Sequence, residues 1–321
     1  MPTAADSVHD LLRPHPGAPR VLLPTDFAED SAEAAWLALR LPYREAPEVT
    51  VMHVVTAPTQ PTSVGLFAAW PDIMAKLHAD AAASVADAAE PFRPMAKFVR
   101  TQVRRGAVSD QILAEAASSH SELIVMGAKG QSAVERVLLG SVSDTVATHA
   151  GCSALVVRPT GLRDGAGAAT NVTDTHPLRA LVAVDETDQA LRAVRELASY
   201  KWGRGAEITL LHVMEMYVAM SKAMHEIDAE MLQELKDARI ADLERLAEPL
   251  RETGASVTVD VRTGERAGAE IVRRAKTCRA DVVAVGDRGR PSTFGVHLGS
   301  VSRHVLRHFG GSVWICRGRR A

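Results

Sequence analysis

Only three cysteines, Cys152, Cys278 and Cys316, are scattered through the 321 residues. Their odd number and wide spacing give no disulfide framework and no zinc-ligand pattern, which fits a reducing compartment. Aromatic residues make up 4% of the chain, too few to build a base-stacking surface. Lys and Arg number 37 against 39 Asp and Glu, for a net charge of -2. Bulk electrostatics therefore argue for neither a nucleic acid nor an anionic membrane as partner. Uncharged apolar runs stay below the ~18 residues that a membrane helix needs. The opening "MPTAADSVHDLLRPHPGAPR" carries neither the basic nor the apolar segment of a signal peptide. The expectation is a soluble, cytoplasmic protein.

What is present is a globular composition, 46% hydrophobic and 24% charged. The length suggests two domains of roughly 150 residues each. Self-similarity supports that count. "RVLLPTDFAEDSAEAAWLALRL" from Arg20 aligns with "RALVAVDETDQALRAVRELASY" from Arg179, and "VTVMHVV" from Val49 with "ITLLHVM" from Ile208. Asp26 and Asp185, His53 and His212, and Gly140 and Gly299 each lie 159 residues apart. A constant offset across distant segments is the mark of a duplication.

Within each copy, short Val/Leu/Ile-rich runs alternate with segments of helical period, as in βα units around a buried parallel sheet. Strands are expected near Val21–Thr25, Val49–Val54, Phe98–Val103, Leu123–Met126 and Ala154–Val157. Their counterparts are Ala180–Val184, Ile208–Val213, Val257–Val261, Val282–Val285 and Val313–Cys316. Helices are expected at Ser31–Arg40, Ser109–Ser118 and Ser141–His149, with a short one at Pro71–Ala89 and a longer one at Met224–Arg251. The reading is two tandem doubly wound α/β domains, each a five-stranded parallel sheet of order 3-2-1-4-5 with helices on both faces. The domains are expected at 19–160 and 178–318, after a poorly ordered segment 1–18 and around a Gly/Ala/Thr/Asp-rich linker at 161–177.

Doubly wound sheets bind ligands beyond the carboxyl ends of their strands, where the strand order reverses. Asp26 and Asp185 end the first strand of each copy, and a glycine pattern follows the fourth. That pattern is "GAKGQSAVERVLLGS" from Gly127 and "GDRGRPSTFGVHLGS" from Gly286. Gly127, Gly130, Gly286 and Gly289 can take positive φ and, lacking Cβ, let backbone N–H groups approach an anion. Gly140-Ser141 and Gly299-Ser300 then open a helix whose free N–H groups and dipole favour phosphate. Ser141 can cap that helix or bind a phosphate oxygen, and Val142-Ser143 and Val301-Ser302 complete the first turn. A tight connection with a capped helix and no ligand is the competing reading, and two copies weigh against it. No Gly-Lys-Ser/Thr follows as in a Walker loop, and the pattern lies after the fourth strand, unlike the dinucleotide fingerprint.

These residues resemble the universal stress protein family of tandem, ATP-binding type, whose Rossmann-like domains are similar to adenine nucleotide alpha hydrolases. Both glycine patterns, "MHVV", "LHVM" and the terminal "SALVVRP" carry the resemblance. It implies ATP, or ADP or AMP, in each domain. Asp26 and Asp185 would lie by the adenine and ribose, with Val54 and Val213 beside the base. Gly127, Gly130, Gly140, Ser141, Val142 and Ser143 would hold phosphates and ribose in the first copy. Gly286, Gly289, Gly299, Ser300, Val301 and Ser302 would do so in the second. Mg²⁺ or Mn²⁺ is expected only as the companion of the phosphates, with no metal site of the protein's own. The resemblance also implies an intrachain pseudo-dimer through the fifth strands and a homodimer as further options.

Some residues depart from the pattern. Ala28 lacks the hydroxyl that many relatives carry two residues after the first acid. The second copy is more acidic there, Asp185-Glu186-Thr187-Asp188, with Arg288 and Arg290 to offset it against Lys129 in the first. Unequal sites follow. His53 and His212 read as packed strand-end histidines, and Cys152 and Cys316 as buried apolar side chains. The leading expectation is a nucleotide-dependent stress regulator or binding module with an unnamed protein partner. A slow ATPase or phosphotransferase is the alternative, for which no general base or arginine finger stands out. A partner-binding protein with vestigial sites is the third.

Overall fold

The computed structural model describes residues 17–56, 64–130, 139–159, 177–185, 187–215, 229–287 and 298–317. The chain divides into two compact units. One comprises Gly17–Leu41 and Glu45–Thr173. Its strands are β1 (Arg20–Pro24), β2 (Glu48–Val55), β3 (Phe98–Arg105), β4 (Leu123–Gly127) and β5 (Ser153–Val157). They lie parallel in the order β3-β2-β1-β4-β5. Val21 pairs with Val49 on one side and with Leu123 on the other. The inner strands read as unbroken apolar runs because helices cover both faces, and β5 is buried along its whole length. β3, at the outside of the order, mixes Phe98, Val99 and Val103 with three arginines and is nowhere fully buried.

The helices of this unit are α1 (Glu29–Arg40), α2 (Val64–Ala89), α3 (Val108–Ser118) and α4 (Ser141–His149). In α1 the buried set Ser31, Ala34 and Ala38, with Glu33 and Leu37, follows the three- and four-residue spacing of a helix lying on a sheet. α2 corrects an expectation. Proline is best tolerated in a helix's first turn, which sets the sequence-based start at Pro71. The helix instead begins at Val64 and carries Pro71 inside it.

The second unit comprises Pro42–Arg44 and Asp174–Ala321. Pro42–Arg44 groups here because Tyr43 forms an isolated antiparallel bridge with Tyr200, and Arg44 Nη2 donates to Ala198 O at 3.0 Å. Its strands are β6 (Arg179–Val184), β7 (Glu207–Glu215), β8 (Ser256–Gly264), β9 (Val282–Gly286) and β10 (Ser312–Cys316). The order β8-β7-β6-β9-β10 repeats that of the first unit. Its helices are α5 (Asp188–Ala198), α6 (Ala229–Arg251), α7 (Ala267–Thr277) and α8 (Ser300–His308). Met224–Asp228, expected at the start of α6, lies outside the described residues. α6 buries Leu243, Ala247 and Leu250 and exposes Met231 and Leu235. In this core Trp314 is fully buried and meets the Tyr200 ring edge-on at 5.2 Å.

One device recurs at the amino ends of both central strands. Arg20 N donates to Glu122 Oε2 at 3.0 Å, and Arg179 N to Asp281 Oδ2 at 2.8 Å. Each acid precedes the fourth strand of its unit and satisfies the first backbone donor of strand one. No described helix is long and apolar enough to cross a membrane.

Candidate functional site

In each unit the strand order reverses between the first and fourth strands, and in the first unit the segments that follow those strands meet there. In the first unit Asp26 follows β1 and Gly130 follows β4. A Cβ built on Gly130 would sit 2.7 Å from Asp26 Oδ2, so the acid and the glycine loop are in contact. The Asp26 carboxylate is oriented on its other oxygen. Ala28 N donates to Oδ1 at 3.1 Å, and Ser31 Oγ donates to the same atom. The hydroxyl missing at Ala28 is thus supplied by Ser31, one turn into α1.

The second unit orients its acid from a different position. Thr187 donates to Asp185 Oδ1 through its N at 3.0 Å and also through its Oγ1. Here the hydroxyl stands two residues after the acid, and the position matching Ser31 is Ala190.

The glycines work differently from the sequence-based expectation. Neither Gly127 nor Gly130 has positive φ. At Gly127 a Cβ would lie 2.7 Å from the carbonyl carbon and from Cβ of Asp30. This glycine lets the start of α1 pack against the end of β4. At Gly140 a Cβ would approach Ala128 O to 3.2 Å, and Gly140 N donates to that same oxygen at 2.7 Å. Gly299 N likewise donates to Asp287 O at 2.7 Å.

Gly140 and Gly299 are the extended N-caps of α4 and α8 and, as glycines, bring no side chain to cap either helix. Ser141 and Ser300 are exposed at the helix starts, with Val142 and Val301 half-buried behind them. Ser143 and Ser302 are turned inward. Ser143 Oγ donates to Ala128 O and Ser302 Oγ to Gly286 O, both at 2.6 Å. These two hydroxyls brace the loop. Asp144 stands in the first turn of α4 where Arg303 stands in α8, which makes the second helix start the more favourable to an anion.

Val54 is buried and Val213 half-buried near the ends of β2 and β7. The adjacent His53 holds its Nδ1 2.8 Å from Thr25 O, and His212 holds its own 3.0 Å from Val184 O. The carbonyl can only accept, so Nδ1 carries the hydrogen in both. His53 also stacks on Phe27, ring centroids 4.8 Å apart, and Phe27 has φ of 64°. Cys316 is buried, whereas Cys152 and Cys278 are half-buried, which corrects the expectation for Cys152. Gly289, Arg288, Arg290, Glu186 and most of both nine-residue spacers lie outside the described residues.

Sequence reasoning missed a buried ionic group in each unit. Lys129 N donates to Asp30 Oδ2 at 2.9 Å, and Asp30 acts electrostatically on Arg158, the buried residue just after β5. Burial raises the Asp30 carboxyl above its ordinary range against the Lys129 N–H, the Lys129 charge and Arg158, with Glu29 adding to the rise. Burial also lowers the Arg158 guanidinium to about 10, opposed by Asp30. In the second unit the buried arginine is Arg317, after β10, and its Nε lies 3.7 Å from Oδ2 of Asp287, which is also buried. The signal was available in the 159-residue alignment. Asp30 matches Gln189, and Asp287 matches Ala128.

The fold and crevice define a tandem doubly wound α/β protein. A family model described as "Universal stress protein family" matches residues 18–158 and again 178–317. The chain belongs to the universal stress protein family, with two repeats of its domain. It is 30% identical over 141 residues to a universal stress protein of Methanocaldococcus jannaschii, covering 43% of this chain and 81% of that relative. It is also 30% identical over 190 residues to one from Mycobacterium tuberculosis, covering 59% of each chain. A universal stress protein of Mycolicibacterium smegmatis is 26% identical over 297 residues, 91% of this chain and 94% of its own. Among solved structures, a universal stress protein from Archaeoglobus fulgidus shares the fold across 94% of this chain and 98% of its own, with a TM-score of 0.59 at 22% identity.

Proposed function

We propose that each unit binds an adenine nucleotide, ATP in the first instance, and that the chain acts as a nucleotide-dependent regulator or binding module in a stress response. The observation that carries this reading is the contact of Asp26 with Gly130, in the same unit as a helix start whose N-cap is a glycine. A carboxylate oriented by Ser31 and Ala28 is an acceptor suited to ribose hydroxyls. The start of α4 offers backbone N–H groups and the positive end of a dipole to phosphates. In this reading Asp26, Val54, Gly127, Gly130, Gly140 and Ser141 form the first site. Asp185, Val213, Gly286, Gly289, Gly299 and Ser300 form the second, with Val142, Ser143, Val301 and Ser302 behind them.

Among the described residues no group of three or more His, Cys, Asp or Glu could hold a metal. Any Mg²⁺ or Mn²⁺ belongs to this reading only as the companion of the nucleotide's phosphates. Association of two chains in the cytoplasm and a regulatory protein partner belong to the same proposal.

Mass spectrometry of nucleotide released from the purified chain, with ATP calorimetry, tests the reading. Bound ATP without turnover is the expected result. Steady release of ADP and phosphate would assign the sites to a slow ATPase, and no binding of any adenine nucleotide would sink both.

A further inference from the structure

The two repeats keep a buried arginine at the same place, directly after the fifth strand, but take its carboxylate from different elements. In the first unit the acid is Asp30 on α1, and that carboxylate also accepts the backbone N–H of Lys129 inside the glycine loop. The matching residue in the other repeat is Gln189. In the second unit the acid is Asp287, a member of the glycine loop itself, paired with Arg317. The position matching Asp287 is Ala128, fully buried and chargeless. One carboxylate has been lost and another gained, so each buried guanidinium has an acid acting on it, through electrostatics in the first unit and at 3.7 Å in the second.

Both versions end at the same target, the two residues after the fourth strand. Asp30 fixes the loop by its amide, whereas Asp287 fixes it by the loop's own side chain. The loop is also tied at the backbone in both units, by Gly140 N on Ala128 O and by Gly299 N on Asp287 O. A second exchange runs in parallel, because Ser31 and Thr187 supply the acid-orienting hydroxyl from different positions. In the first unit Asp30 and Ser31 are neighbours, so α1 holds the loop and the Asp26 carboxylate together. In the second unit the loop is held from the β10 side and the Asp185 carboxylate from Thr187.

We infer that Asp30 and Asp287 are the positioning residues of the two phosphate-binding loops, each serving its own unit, Asp30 through the Lys129 amide and Asp287 through Arg317. This inference rests on the nucleotide reading for its functional consequence and on the loop geometry for its structural one. Removing one acid unsettles one loop and leaves the other in place. Restoring a carboxylate from the other repeat's position restores the loop.

The test uses the full chain and three variants, Asp30→Ala, Asp287→Ala and the double variant Gln189→Asp/Asp287→Ala. ATP calorimetry reads the sites, and hydrogen exchange reads the Lys129 amide and the segment from Gly286 to Asp287. Asp30→Ala is expected to weaken one site about tenfold, the worth of a hydrogen bond to a charged group, and to speed Lys129 exchange without affecting the second loop. Asp287→Ala is expected to weaken the other site alone, and Gln189→Asp is expected to recover it to within about twofold.

Equal weakening of both sites by either single variant overturns the inference, as does unchanged exchange at the loops or failure of the rescue. If Asp287→Ala does not fold, Asp287→Ala/Arg317→Met removes both buried charges together and is expected to fold with a loosened second loop. A folded double variant with a fully protected second loop equally overturns it. Absence of ATP binding by the unsubstituted chain sinks the function reading alone, and the exchange measurements still decide the anchor.

Discussion

Gly130 lies so close to Asp26 that any side chain there would enter the carboxylate, at 2.7 Å from Oδ2. Gly127, three residues earlier, is as crowded, but against the Asp30 backbone. The two glycines of one motif thus answer to different constraints. Gly130→Ala pushes on a side-chain oxygen and is expected to weaken first-site nucleotide binding about tenfold, with under ~1 kcal/mol lost from stability. Gly127→Ala pushes on backbone that cannot yield, and overpacking of that kind costs about 1–3 kcal/mol. Calorimetry and urea unfolding of the two variants check the split, and equal effects on both readouts would refute it.

Ser31 orients Asp26 from α1, where Thr187 orients Asp185 from two residues away. Ser31→Ala is expected to lower first-site affinity and to destabilise the fold by about 1–2 kcal/mol, because a half-buried carboxylate loses a donor. Adding Ala28→Thr transplants the second repeat's solution and is expected to restore binding. Calorimetry on the single and double variants decides it, and a double variant no better than Ser31→Ala would count against it.

The Asp30 carboxyl has a folded-state affinity for its proton above that of the unfolded chain, because burial outweighs its favourable partners. At acid pH the folded chain therefore binds this proton more tightly than the unfolded chain does. The resulting stabilisation is complete below the ordinary value of 3.8 and is lost as pH rises through the raised folded value. Asp30→Asn removes the effect. Urea titrations of both proteins from pH ~3.5 to ~7 are expected to show the wild type's relative stability falling as pH rises. A difference that grows with pH would reverse the assigned sign.

Cys316 is fully buried, and burial first, then Glu196, holds its thiol well above the ordinary range. Alkylation at pH ~8 is expected to label the half-buried Cys152 and Cys278 while Cys316 reacts only on unfolding. Peptide mass spectrometry of a time course reads this, and early labelling of Cys316 in the native chain would contradict it.

The sheet was legible because burial on both faces writes itself into the sequence as unbroken apolar runs, as in "SALVV" and "SVWIC". The start of α2 was not, since Pro71 inside a helix looks like a beginning. The grouping of Pro42–Arg44 with the second unit was hidden too, because a bridge from Tyr43 to Tyr200 has no local signature. At the site, residue spacing brought out the acids, the glycines and the helix starts. The work of Asp30, Ser31, Asp287 and the arginines after the fifth strands stayed hidden, because each pairs across the fold with a partner far away in sequence or reassigned between repeats.

The exchanged carboxylates have a consequence for the gene. Two homologous halves in one reading frame invite recombination between them. A crossover between α1 and β4 would join Asp30 to Asp287 and Arg317 in one product, two acids for one guanidinium. The reciprocal product would join Gln189 to Ala128 and Arg158, with neither carboxylate beside the buried arginine. The first product carries both loop anchors and the second carries neither. The rewired charges thus make shuffled halves poor substitutes for the parental ones, so the duplicated chain holds its two repeats apart as distinct parts.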